Sequence, residues 1–225
     1  MAFPEPAANR RIFHCGRKLA VRRHLLCFLL FWPAVFIRYL LIEKLNPAAV
    51  FWPIHCPLDD AIPFCEAFLI PYVLWYFYIA GFQLYTLLYD LSAFRKYTKF
   101  LAFSFAISTC IFLLFPSCQN LRPQIFPRDN VLVLGVQLIY RSDTNTNVFP
   151  SEHAIGALAV LIAALHTTHL RRPWIIALIG ITSLFICLST VFLKQHSVLD
   201  VAAALPICAI VCRICYSKDT HTEPE

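Results

Sequence analysis

An all-α, integral-membrane bundle of six spanning helices, with both termini cytoplasmic, is the fold class that three observations predict. The first is composition: 59% of the 225 residues are hydrophobic and 14% are charged, and the mean hydropathy is +0.65. Lipid is the expected solvent for most of such a chain. The second is that six segments approach the roughly 20 apolar residues needed to cross a hydrocarbon core. The third is the placement of Lys and Arg, which alternates between rich and poor loops as a multi-pass topology requires.

The elements follow in order. Residues 1–23 are basic and polar and are read as a cytoplasmic segment. Residues 24–42 form the first span, interrupted by Arg38, which can extend to the interface or pair with an acid such as Glu43. This span exceeds a signal-peptide core and no small-residue cleavage site follows it, so it is expected to remain as an anchor. Residues 67–89, 100–121 and 173–193 are free of Asp, Glu, Lys and Arg and bounded by them. Residues 151–168 and 196–216 complete the set, each polar at its beginning. The run from Val131 to Tyr140 is too short to cross and is read as interfacial or strand-like. Pro33, Pro71 and Pro206 fall inside spans, where neighbouring helices can satisfy the freed backbone groups. With no repeat or linker, residues 24–216 make one membrane domain and 217–225 a short cytoplasmic tail.

Orientation comes from the basic residues. With the N-terminus inside, thirteen of the nineteen Lys and Arg fall on the cytoplasmic face and five outside, with Arg38 within the membrane. In that frame Arg122 and the starts of the fourth and sixth spans all reach the extracytoplasmic face. The net charge of +6 is then a topology signal rather than a nucleic-acid footprint. Five glycines, with neither G-x-x-x-x-G-K-[ST] nor G-x-G-x-x-G, exclude a phosphate loop of the NTPase or dinucleotide type.

The ten cysteines lie mostly in apolar runs, where they act as small hydrophobes. Cys56 and Cys118 fall in outer loops and can pair or stay free. Cys212 and Cys215 form a C-x-x-C with no second pair or nearby His; helix packing accounts for it better than metal or acylation. Asp59, Asp60 and Glu66 precede the second span as an acidic group, read as a solvated loop rather than a cation site. His166, His169, Arg171 and Arg172 belong to the inner face.

The chemistry concentrates where the fourth and sixth spans begin. Ser151 in Phe149-Pro150-Ser151-Glu152-His153 stands at an N-cap. The unpaired N–H groups of such a terminus attract anions, and His153 in the first turn can deliver a proton. A plain cap followed by an interfacial histidine is the alternative. His196 and Asp200, four apart, share one helix face, and a carboxylate on an imidazole fixes its tautomer and raises its basicity. A structural buried pair is the alternative there. Arg122-Pro123 can clamp phosphate oxygens or merely flank the third span, and Lys194 can add charge at the anion or extend to the interface.

These stretches resemble the type-2 phosphatidic acid phosphatase superfamily, whose motifs are Lys-x6-Arg-Pro, Pro-Ser-Gly-His and Ser-Arg-x5-His-x3-Asp. Leu121-Arg122-Pro123 is similar to the end of the first, Pro150-Ser151-Glu152-His153 to the second, and Ser189-Thr190 through His196 to Asp200 to the third. The flanking Thr146-Asn147-Val148-Phe149 and Lys194-Gln195 look closer to the branch with inositol phosphorylceramide synthases and small bacterial phosphatases. The resemblance runs from about the second span to the sixth. It implies a membrane lipid-phosphate phosphatase or phosphotransferase, without metal or cofactor, whose site opens on the extracytoplasmic face. It further implies that His196 attacks phosphorus, Asp200 orients it, His153 protonates the leaving oxygen, and Arg122 and Ser151 hold the phosphoryl oxygens; Lys194, and Arg128 or Arg141, are the candidates to supply the cations that the motifs lack here. The expected partner is a lipid phosphate or phospholipid in the membrane, with no nucleic acid. Three positions depart from the motifs: Phe115 for the Lys, Glu152 for the Gly and Thr190 for the Arg. A second expectation, a non-catalytic binder of anionic lipid on the same scaffold, follows from those departures.

Overall fold

The structure, a computed structural model, describes residues 7–45 and 50–217, with side chains from 23–43 and 50–217. The basic side chains at 10–22, Lys44, Lys218 and the tail 218–225 lie outside it. The described chain is helical: α1 (Ala7–Leu45), α2 (Pro57–Ala61), α3 (Leu69–Tyr89), α4 (Leu91–Leu114), α5 (Val131–Ser142), α6 (Glu152–Leu165), α7 (Pro173–Phe192) and α8 (Val198–Tyr216). Among the described residues five helices are long and apolar enough to cross a membrane, within α1, α3, α4, α7 and α8, and α6 is a shorter apolar helix. Helix α1 runs unbroken through position 23, so the basic segment and the first span share one helix.

The centre is α6. Nine of its residues are buried, five of them alanines and one Gly156. Small side chains let the backbones of α7, α8, α4 and α3 approach it closely, which is how helices pack where no water drives them together. Large residues outside this axis fill the remaining core, Phe100, Leu101, Ile79 and Ile186 among them. His166 beside Tyr216 and His24 beside Phe94 gather the ends of α6 and α8 with the starts of α4 and of the α1 span on one side. The polar loops lie at the other, where β1 (Trp52–Pro53) pairs in parallel with β2 (Ser117–Cys118).

Two elements differ from expectation. The third crossing helix is shifted from 100–121 to Leu91–Leu114, because Asp90 caps it by accepting from Ala93 N at 2.9 Å and Pro116 disfavours helix at Phe115. Its basic first turns are therefore helix rather than loop. The run 131–140 is not strand-like: Asn130 caps it, accepting from Val133 N at 3.0 Å. Val133 and Val136 face inward while Val131, Leu134 and Leu138 stay exposed. Such three- and four-residue spacing makes an amphipathic helix. Cys56 and Cys118 are both free thiols.

Candidate active site

The α7 to α8 turn presents His196. Backbone N–H groups of Gln195 and His196 both donate to Thr190 O, at 2.9 and 3.1 Å, and Tyr140 Oη donates to Leu193 O at 2.6 Å. Ser197 caps α8, and the Asp200 carboxylate reaches back to accept from Ser197 N at 2.8 Å. The same oxygen lies 3.2 Å from His196 Nδ1. An ionised carboxylate can only accept, so this contact calls for the imidazole proton on Nδ1, leaving the Nε2 lone pair free. Asp200 is wholly buried and His196 nearly so.

The loop before the second crossing helix locks this turn. Asp59 accepts from Ser197 Oγ at 2.6 Å, Val198 N at 2.8 Å and Cys56 N at 2.8 Å. Burial raises the pKa of the Asp59 carboxyl, but these donors outweigh it and hold the group below its ordinary range. Lys194, with a left-handed backbone at φ 55, donates its ammonium to the carbonyls of Asp59 and Ile62. Burial lowers its pKa. The acidic group is solvated only at Asp60, which is exposed beside His55: Asp59 and Glu66 are 1% and 3% exposed, and Glu66 accepts from Arg128 at 2.8 Å and Asn130 at 3.0 Å. Each of these two carboxylates is buried because donors from distant segments converge on it. Among the described residues no group of three or more His, Cys, Asp and Glu can hold a metal ion.

Helix α6 supplies the second histidine. Ser151 Oγ accepts from Ala154 N at 3.4 Å, and Ser151 N donates to Asp200 O at 3.0 Å, tying the starts of α6 and α8 together. His153 is 8% exposed. Its ring packs on Tyr72 and Trp75, with centroids 4.3 and 4.2 Å away. Its Nε2 has no hydrogen-bond partner. The His153 and His196 rings lie 6.2 Å apart and both line a cavity of about 410 Å³ bounded by α1, α3, the 142–148 loop and the α6 start. That is room for a head group rather than a bare phosphate.

The three expected anion contacts sit around the cavity rather than on its wall. Ser151 is fully buried under its cap. Lys194 is committed to the Asp59 loop as described. Arg122 donates to the carbonyls of Tyr140, Asp143 and Thr144 and to Gln195 Oε1, at 3.2, 3.1, 2.7 and 2.6 Å. It also lies over the Tyr140 ring at 4.5 Å. Thr190 is buried with Oγ1 on Cys187 O, and Phe115 stacks on Trp52. Arg38 does not pair with Glu43: it binds Glu152 through two hydrogen bonds of 2.7 and 2.6 Å. A half-buried guanidinium finds a better match in a bidentate carboxylate than in a neighbour one turn along its own helix.

A bundle of membrane-length helices, with a histidine–carboxylate pair and a second histidine on one cavity, defines an integral-membrane protein equipped for transfer chemistry. The PAP2 superfamily model matches residues 97–221. That is more than half of the chain, which belongs to the PAP2 superfamily of phosphatases and phosphotransferases. No curated protein and no solved structure matches it. The matched segment excludes α1, α2, α3 and the first turns of α4, and with them Arg38, Asp59, Tyr72 and Trp75, which sequence reasoning did not place at the site. Of these, Arg38 alone carried a sequence signal, as a charge inside a span that calls for an acid.

Proposed function

We propose that the chain is a membrane lipid-phosphate phosphatase or phosphotransferase that works through a phosphohistidine, with its site on the extracytoplasmic face. The observation that carries this is the His196–Asp200 contact of 3.2 Å with His153 across the same cavity. His196 Nε2 attacks phosphorus and the bond to the leaving oxygen breaks. His153 gives that oxygen a proton, then takes one from water or an alcohol as the acceptor attacks. Asp200 keeps the nucleophile in the reactive tautomer. The α6 terminus, with Ser151 as cap, offers N–H groups to the phosphoryl oxygens. Arg122 and Lys194 contribute positive charge from behind the wall while holding Gln195 and the turn. The extracytoplasmic placement rests on the thirteen to five division of basic residues, and α6 serves as the sixth crossing element.

The test is rapid quench of purified protein with a phosphorus-labelled lipid phosphate, followed by peptide mapping. The expected result is acid-labile label on His196, no turnover in His196→Ala and strongly reduced turnover in Asp200→Asn. Full activity in His196→Ala, or acid-stable label on Ser151, would overturn the assignment. A second reading, anionic-lipid binding without catalysis, draws on Phe115 and Thr190 standing where the superfamily motifs have cations. Retained binding with no turnover on any lipid phosphate would favour it.

A further inference from the structure

The cavity in front of the two histidines carries more negative than positive charge. Among the described residues, and apart from those histidines, its charged lining is Glu43, Asp143, Glu152 and Arg38. Arg38 neutralises Glu152 through their paired hydrogen bonds. Glu43 accepts from Thr144 Oγ1 at 2.7 Å and Asn147 Nδ2 at 3.3 Å, and Asp143 from Tyr39 Oη at 2.8 Å. Neutral donors hold a carboxylate in place without cancelling its charge. Arg122 hydrogen-bonds the backbone carbonyl of Asp143 and its charge acts on that carboxylate from behind the wall, so Glu43 is the lining carboxylate for which no cationic partner is described.

The same cavity is lined by the aromatic side chains of Trp32, Phe36, Tyr39 and Tyr76, of which Tyr39 touches Asp143. Carboxylates beside aromatic faces attract a compact organic cation, through charge and through the ring quadrupole. A bare phosphate gains nothing from such a wall. His153, more than nine-tenths buried and with Nε2 unpartnered, lines the same space. The acidic, aromatic region is therefore continuous with the two histidines.

We infer that the substrate is zwitterionic: its phosphoryl group meets the histidines, and an alkylammonium group of the choline or ethanolamine class sits between Glu43, Asp143 and the aromatic wall. This deepens the phosphoryl-transfer reading and rests on it for which end of the molecule meets His196.

The experiment uses the full chain carrying His196→Ala in non-ionic detergent, titrated with short-chain phosphatidylcholine, phosphatidylethanolamine, phosphatidylglycerol and phosphatidylinositol, and reads tryptophan fluorescence. The two ammonium lipids are expected to bind roughly tenfold tighter than the glycerol lipid. Glu43→Gln with Asp143→Asn brings that ratio to about one, by removing the charge that favours a cation. Glu43→Gln alone, which keeps the acceptor, serves where the double substitution does not fold, and there a several-fold drop in the ratio is expected. Equal affinity for all four lipids, tightest binding of the inositol lipid, or a ratio unmoved by the substitutions overturns the inference. Turnover of the same lipids by the unsubstituted chain is measured in parallel: ammonium preference in binding with no turnover anywhere contradicts phosphoryl transfer and leaves the subsite standing.

Discussion

Arg38 and Glu152, 114 positions apart, meet through two hydrogen bonds, NH1 to Oε1 at 2.7 Å and NH2 to Oε2 at 2.6 Å. Glu152 opens α6, where the positive end of the helix dipole favours an acid. In isolation that carboxylate would repel an incoming phosphate. Paired, it latches α1 to the helix that carries His153, and the same guanidinium also donates to Phe105 O at 3.0 Å and Thr109 Oγ1 at 2.9 Å.

Breaking this pair from one side leaves an uncompensated, largely buried charge. The two side chains are 19% and 20% exposed, so Arg38→Met or Glu152→Gly is expected to cost about 2 kcal/mol each. The double substitution should cost less than the sum. Thermal unfolding in detergent measures all three, and strict additivity would show that the ions do not couple.

Asp59 makes a pH-dependent contribution. Burial opposes its ionisation, but the Ser197, Val198 and Cys56 donors prevail and its folded-state pKa lies below the ordinary 3.8. A depressed acid stabilises the fold above its unfolded pKa, and the contribution disappears as pH falls through the lower folded value. Melting temperature recorded from about pH 6 down to about pH 3 should therefore fall less steeply in Asp59→Asn than in the unsubstituted chain. Because Asp59 touches Ser197 and not the cavity, the same substitution should lower kcat more than it raises KM.

Gly156 backs onto the indole that supports His153. A Cβ there would stand 2.7 Å from Trp75 Nε1 and 3.0 Å from Cζ2, and the indole centroid is 4.2 Å from that of His153. Alanine favours helix over glycine by about 1 kcal/mol, so a gain in stability is the local expectation. The clash reverses it: Gly156→Ala should lower both melting temperature and turnover, the latter by roughly tenfold through a displaced His153. Recovery of activity on adding Trp75→Phe, which removes the clashing atoms, checks the cause.

His153→Ala should slow turnover by about a hundredfold or more for a lipid substrate whose leaving alkoxide needs a proton. The loss should be much smaller for an aryl phosphate, whose leaving group departs as an anion. Comparison of the two substrates at one pH is the measurement. An equal loss on both would assign His153 to packing under Tyr72 and Trp75 alone.

Much of the candidate site's geometry was legible because its parts are local. Ser151 at an N-cap, His153 two residues on, and His196 four before Asp200 are spacings that the α-helix converts directly into proximity. What stayed hidden depends on long-range pairing. Asp59 reaches Ser197 across 138 positions, and nothing in an Asp-Asp loop distinguishes a buried clamp from a solvated turn. Lys194, read from its position as charge for the anion, also donates to the carbonyls of the Asp59 loop, a contact that no local spacing announces. The helix over 131–142 was obscured because a short Val- and Leu-rich run satisfies strand propensity, whereas its Asn cap and amphipathic packing decide for helix. The displaced third crossing helix shows that a cap and a proline set helix ends more strongly than the edge of an uncharged stretch.

Enclosure frees α6 from a constraint that binds its neighbours. At 14 residues it rises about 21 Å, well short of the roughly 30 Å of hydrocarbon that an exposed crossing helix must match. Walled in by α3, α4, α7 and α8, it meets protein where a lipid-facing helix would meet acyl chains. With α6 as the proposed sixth crossing element, its first turn lies beneath the level of the surrounding head groups, and the space above it is a recess. A lipid could present its polar end to that recess sideways, by sliding beneath the interface, without being lifted into water.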